Sequence, residues 1–99
     1  MRLTSEQART IRETVDVMFG PDTRVTLFGS RTDDSARGGD IDLFIEAAHP
    51  VVNRAAMASR LAAQLQLKLG DQRIDIILTD RFTASQPIHE RARDQGVLL

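Results

Sequence analysis

The sequence predicts a small α/β (α+β) chain, and three observations carry that prediction. Two stretches place apolar residues at helical spacing, three short runs are β-branched and apolar, and a proline-started segment near the C-terminus reads as a last helix. At 99 residues, with 41% apolar and 27% charged side chains, the chain is expected to build one packed core and a single domain over residues 1–99.

Composition narrows the chemistry. The net charge of -1 lacks the basic balance of a non-specific nucleic-acid binder, and four Phe with no Tyr or Trp give little to stack bases on. Direct nucleic-acid binding is therefore disfavoured, while a nucleotide ligand is allowed. The absence of Cys excludes disulfides, thiolate metal sites and a Cys nucleophile. The N-terminus shows no apolar signal core, and no apolar run approaches the roughly 20 residues of a bilayer span. A cytoplasmic protein without a membrane partner is expected.

The first helix is expected from about Ser5 to Phe19. Thr4 or Ser5 caps it, Glu6-Gln7 supplies a capping-box partner, and Ala8, Ile11, Val15, Met18 and Phe19 recur on one face. Gly20-Pro21 ends it. Arg24 to Phe28 reads as a strand and breaks at Gly29-Ser30, a turn whose Ser can cap a short helix. Thr32 to Gly39 is small, charged and loop-like.

A second strand covers Ile41 to Ile45. Alternation sends Asp40 and Asp42 to one face and Ile41, Leu43 and Ile45 to the other, with Phe44 sharing the aspartate face. A strand covered on both sides, with carboxylates at its exposed start, reconciles the two. The second helix, Asn53 to Leu69, stops at Gly70 and is packed through Ala58, Leu61, Ala62, Leu65 and Leu69. Arg73 to Leu78 is the third strand, and Pro87 to about Gln95 the last helix, ended by Gly96. The apolar Val97-Leu98-Leu99 must pack on the core or meet a partner.

Two carboxylates one residue apart repel, and a divalent cation between them relieves the repulsion. A turn with solvated aspartates is the plain alternative. Asp75 bears on the choice because it is the only charge between Ile74 and Leu78, where a carboxylate is costly unless paired or ligating metal. A salt bridge, to Arg73 for example, is the alternative there. If the second and third strands are neighbours, Asp40, Asp42 and Asp75 converge. Three carboxylates without His or Cys suit magnesium and fit zinc poorly. Two such ions roughly 4 Å apart orient an attacking oxygen and stabilise a leaving one, which points to phosphoryl or nucleotidyl transfer. Gly29-Ser30 supplies a matching phosphate cradle.

Gly29-Ser30-Arg31, eight residues, then Asp40-Ile41-Asp42-Leu43 resembles the signature of the nucleotidyltransferase superfamily that includes DNA polymerase beta and kanamycin nucleotidyltransferase. With Asp33-Asp34 and Arg37-Gly38-Gly39 inside the loop, it resembles more closely the minimal nucleotidyltransferases, the MNT antitoxins paired with HEPN toxins. Arg73-Ile74-Asp75 is similar to the family's third-aspartate strand, and Pro87-Ile88 through Leu99 to its C-terminal helix and end. The resemblance implies the polymerase beta-like fold, a small mixed sheet flanked by helices. It implies Gly29 and Ser30 on the triphosphate, with Arg31 on phosphate or in a structural ion pair. Asp40 and Asp42 are implied as ligands of two Mg2+ ions, and Asp75 as the third carboxylate, which positions or activates the acceptor.

The function so implied is AMP transfer from ATP to a hydroxyl, a tyrosine of a cognate HEPN RNase toxin, with release of pyrophosphate. A chain this short is expected to borrow part of its site from that partner, docked on the apolar C-terminus or the helix faces. Two other readings stand beside it. One is an antitoxin that acts by stoichiometric contact without catalysis, the other an enzyme modifying nucleic-acid ends. His49 and His89 are expected on the surface. Arg37, Arg54, Arg60, Arg91 and Arg93 are expected on solvated faces, with an acidic partner as the alternative for some of them.

Overall fold

The computed structural model describes residues 3–29, 41–70, 72–80, 82–83 and 86–99. Its elements run α1 (Ser5–Phe19), β1 (Arg24–Phe28), β2 (Ile41–Glu46), α2 (Arg54–Leu69), β3 (Ile74–Thr79), α3 (Pro87–Gln95) and β4 (Val97–Leu98). Local chemistry sets the boundaries. The Gln7 N–H donates to Thr4 Oγ1 and the Thr4 N–H to Gln7 Oε1, both at 3.0 Å, which closes the expected capping box of α1. At its other end Gly20 takes φ +102°, a left-handed conformation that suits glycine.

The strands form one mixed sheet in the order β3-β2-β1-β4. β1 pairs antiparallel with β2 and with β4, and β2 pairs parallel with β3 across the α2 crossover. The mixed sheet flanked by helices that the sequence predicts is the one observed. Of Val97-Leu98-Leu99, only Leu99 packs on the core: Val97 and Leu98 pair with β1 but leave their side chains exposed, and the Leu99 N–H donates to Val25 O at 2.8 Å.

The two faces of the sheet are built differently. Val25, Leu27, Ile41, Leu43, Ile45, Ile74 and Leu78 point to one face and are buried with Ile11 and Val15 of α1 and Leu61 and Leu65 of α2. Removing a methyl-rich side chain from such a cluster costs about 2–5 kcal/mol, so this layer holds the strands in register. The opposite face carries Thr26 beside Phe44 and Phe44 beside Ile77, and α3 lies over it. Phe44 is fully buried there, which explains how it shares a face with Asp42.

Three contacts pin α3 on that row. The His89 ring meets Phe44 edge-on with centroids 5.3 Å apart, the Arg93 guanidinium lies 5.3 Å above the Phe44 centroid, and Arg93 Nε donates to Glu46 Oε2 at 2.9 Å. The expectation of a surface histidine at 89 is therefore corrected: the residue is 5% exposed, because Phe44 gives its ring an aromatic surface to cover. Arg93 is exposed, as expected of a solvated face, while its guanidinium lies over Phe44 and pairs with Glu46. Among the described residues no helix is long and apolar enough to cross a membrane.

At the far end of β3, Asp80 ties the loops together. Its carboxylate is 5% exposed and accepts from the Val51 N–H at 2.8 Å, the Phe82 N–H at 2.9 Å and the Thr83 hydroxyl at 3.2 Å, with Arg54 Nη1 at 3.5 Å. Arg54 is exposed, as expected, while its head also faces the Asp80 carboxylate. The Val51 hydrogen bond, helped by those from Phe82 and Thr83 and by the Arg54 charge, holds Asp80 below the ordinary carboxylate value despite the opposing effect of burial. A lowered folded-state pKa means that the unfolded chain takes up the proton first as pH falls. The contribution is full above the ordinary carboxylate range and is lost as pH falls through the folded value. In urea denaturation the stability gap between wild type and Asp80→Asn is expected to be constant between about pH 6 and 8 and to narrow below about pH 4. A gap unchanged through the acid range would contradict the assignment.

Candidate active site

β1 ends, and β2 and β3 begin, at the same edge of the sheet. Antiparallel register sets Phe28 opposite Asp42, and parallel register sets Asp42 opposite Asp75. Register partners point to the same face, so Phe28, Asp42 and Asp75 form one row across three strands, with strand axes about 4.8 Å apart. This row lies next to the Thr26, Phe44 and Ile77 row and at the rim of α3. The convergence expected if the second and third strands were neighbours is met for these two carboxylates. Asp40, Ser30 and Arg31 lie outside the described residues.

Gly29 follows β1 and turns the chain over the start of β2 at φ +79°. A Cβ there would overlap Asp42 Oδ2 and sit 3.1 Å from Asp42 Cγ. Glycine is thus required twice, by the backbone conformation and by the carboxylate lying against it. This is the close backbone approach expected of the Gly-Ser turn, although what it admits first is the side chain of Asp42.

Asp75 differs from its expectation in environment. Its side chain is 48% exposed, because it is the second residue of β3 and stands at the open edge of the sheet. Arg73 Nε lies 3.5 Å from Asp75 Oδ1, the ion pair weighed as the alternative to metal ligation. Between groups this exposed such a pair is worth about 0–1 kcal/mol, too little to commit the carboxylate against a divalent ion.

Among the described residues no group of three His, Cys, Asp or Glu side chains is gathered. Asp42 and Asp75 make a pair of neighbouring carboxylates with no nitrogen or sulfur donor in their row. That oxygen-only set fits a hard cation such as Mg2+.

A cleft of about 380 Å³ opens beside Gly29, between the end of β1 and α3. Phe28 and Gly29 form one wall, and Ile88, Arg91, Ala92 and Gln95 the other. Sequence reasoning left Arg91 as a solvated charge. The available signal was the spacing of Ile88, Arg91 and Gln95, which share one helix face, but nothing in the sequence sets that face against Gly29.

The nucleotidyltransferase domain family model matches residues 8–93, and the chain belongs to that family. No curated protein sequence matches the chain. Among solved structures, the MNT antitoxin in complex with a tri-AMPylated HEPN toxin of Shewanella oneidensis is similar over 97% of this chain and 71% of that one. The TM-score is 0.68 at 25% identity. A toxin–antitoxin complex, MntA-HpeT, bearing two Asp-to-Glu substitutions is similar over 93% of this chain and 70% of that one, with TM-score 0.66 at 25% identity. A further Shewanella oneidensis structure shares the fold, with TM-score 0.66 at 21% identity over 98% and 71% of the two chains.

Gly29→Ala is expected to cost roughly 1 kcal/mol or more of stability through its positive φ and to displace the Asp42 carboxylate. The variant should remain folded by circular dichroism yet lose nucleotidyl transfer. Full activity in a folded Gly29→Ala protein would show that the contact with Asp42 is dispensable.

Proposed function

We propose that this chain is a Mg2+-dependent nucleotidyltransferase and an antitoxin, which moves AMP from ATP to a tyrosine hydroxyl of a cognate HEPN-type RNase toxin. The observation that carries the reading is the register of Asp42 with Asp75 beside the Gly29 turn, within a chain of the nucleotidyltransferase family. The antitoxin role is drawn from similarity to MNT antitoxins in complex with HEPN toxins, one of them tri-AMPylated.

In this reading Asp40 and Asp42 would hold the two Mg2+ ions, and Asp75 would be the third carboxylate, which positions or activates the acceptor. Bound Mg2+ would neutralise charge on the triphosphate and lower the pKa of a coordinated hydroxyl. The acceptor oxygen attacks the α-phosphorus, the bond from that phosphorus to the bridging oxygen of the β-phosphate breaks, and pyrophosphate departs. The tyrosine proton passes to the Asp75 carboxylate or to water held by it. Gly29 and Ser30 cradle the phosphates through backbone N–H groups and the Ser hydroxyl, and Arg31 adds positive charge. Catalysis on this account is positioning plus charge neutralisation.

The open edge at Asp75 suits a macromolecular acceptor. A tyrosine presented by a folded partner reaches a half-exposed carboxylate on a sheet edge without the chain supplying an acceptor pocket of its own. Incubation of the chain with its HEPN partner, Mg2+ and each nucleoside triphosphate, followed by intact-mass spectrometry, is expected to add AMP units to the partner with ATP. Asp42→Asn should lower the rate by roughly 100-fold or more while leaving partner binding intact. No added mass with any triphosphate would overturn the enzymatic reading, and undiminished protection of cells by Asp42→Asn would favour stoichiometric neutralisation.

A further inference from the structure

In-line displacement at phosphorus puts the attacking and leaving oxygens on opposite sides of the reacting atom. Along the open row the order is Asp75 on β3, Asp42 on β2, then Phe28 and Gly29 at the end of β1, so the cleft lies across Asp42 from Asp75. If the acceptor arrives at Asp75, the departing phosphates point toward β1 and into the cleft walled by α3.

The charge in that cleft is supplied by Arg91. Arg12, Arg54, Arg73 and Arg93 each have a carboxylate partner. Arg91 makes no ion pair or hydrogen bond among the described residues, and it is exposed on the wall facing Gly29. Its described neighbours on that wall, Ile88, Ala92 and Gln95, carry no charge. A guanidinium offers a planar set of donors matched to phosphate oxygens, and one with no ion pair among the described residues gives up none of those contacts on binding.

We infer that Arg91 binds the β- and γ-phosphates of the nucleoside triphosphate and steadies the leaving pyrophosphate, making α3 the leaving-group wall of the site. The inference rests on the nucleotidyl-transfer reading and extends it to a residue outside the Gly-Ser and aspartate motifs. Arg91 is in this role a substrate-binding residue. The contact strengthens as negative charge builds on the bridging oxygen, so it favours the transition state over the bound substrate.

The test compares two ligands on wild type, Arg91→Gln, Arg91→Lys and, as a control on another helix, Arg60→Gln. The ligands are α,β-methylene-ATP with Mg2+, and AMP. Arg91→Gln is expected to weaken binding of the triphosphate analogue by roughly 10-fold and to leave AMP binding unchanged, with Arg91→Lys intermediate and Arg60→Gln like wild type. Equal weakening of AMP and the analogue would assign Arg91 to base, ribose or the α-phosphate and overturn the inference. So would analogue binding by Arg91→Gln as tight as that of wild type. Failure of the wild-type protein to bind the analogue would overturn the nucleotidyl-transfer reading, and this inference with it.

Discussion

The parallel pairing of β2 with β3 is the constraint on which the candidate site depends. It places Asp42 beside Asp75 at one sheet edge although 32 residues and a whole helix separate them in sequence. The pairing is held from the other face, where Ile41, Leu43, Ile45, Ile74 and Leu78 are buried under α1 and α2. A slip of one residue would turn both the apolar set and the carboxylate to the wrong sides. The apolar core therefore keeps two like charges together, at a cost that a bound cation would relieve.

Phe44 divides the opposite face into a closed part and an open part. Its ring anchors α3 through His89 and Arg93, so the helix covers Thr26 and Phe44 and leaves the row of Phe28, Asp42 and Asp75 partly exposed at its rim. Gly96 lets the end of that helix approach β1 closely: a Cβ there would meet Thr26 and Ala92 and lie 2.8 Å from Leu27 O. Covering one row and baring the next turns an ordinary helix-on-sheet contact into a cleft with Arg91 on its wall.

Much of this was legible because local chemistry and tertiary packing agree. The bounds of α1, β1 and α3 follow from Thr4, the β-branched run and Pro87, each decided by residues nearby. The alternation of Ile41, Asp42 and Leu43 gave the two faces of β2 directly. What stayed hidden depends on contacts between distant segments. β4 is two residues long and exists only as a partner of β1. His89 is buried because Phe44 lies beneath it. Asp75 is half-exposed because β3 begins one residue earlier, at the sheet edge, so its isolation in an apolar run overstated the cost of its charge. Arg91 looked like any helix-surface cation until α3 was seated against β1.

The central claim is that Asp42 and Asp75 serve one divalent-ion site, and manganese binding with a nonhydrolysable ATP analogue, followed by electron paramagnetic resonance, tests it most directly. Wild type is expected to quench the free-ion signal. Asp42→Asn and Asp75→Asn should each weaken binding, and the double variant should be little worse than Asp42→Asn alone. Wild-type affinity in both single variants, with the proteins folded, would contradict the shared site.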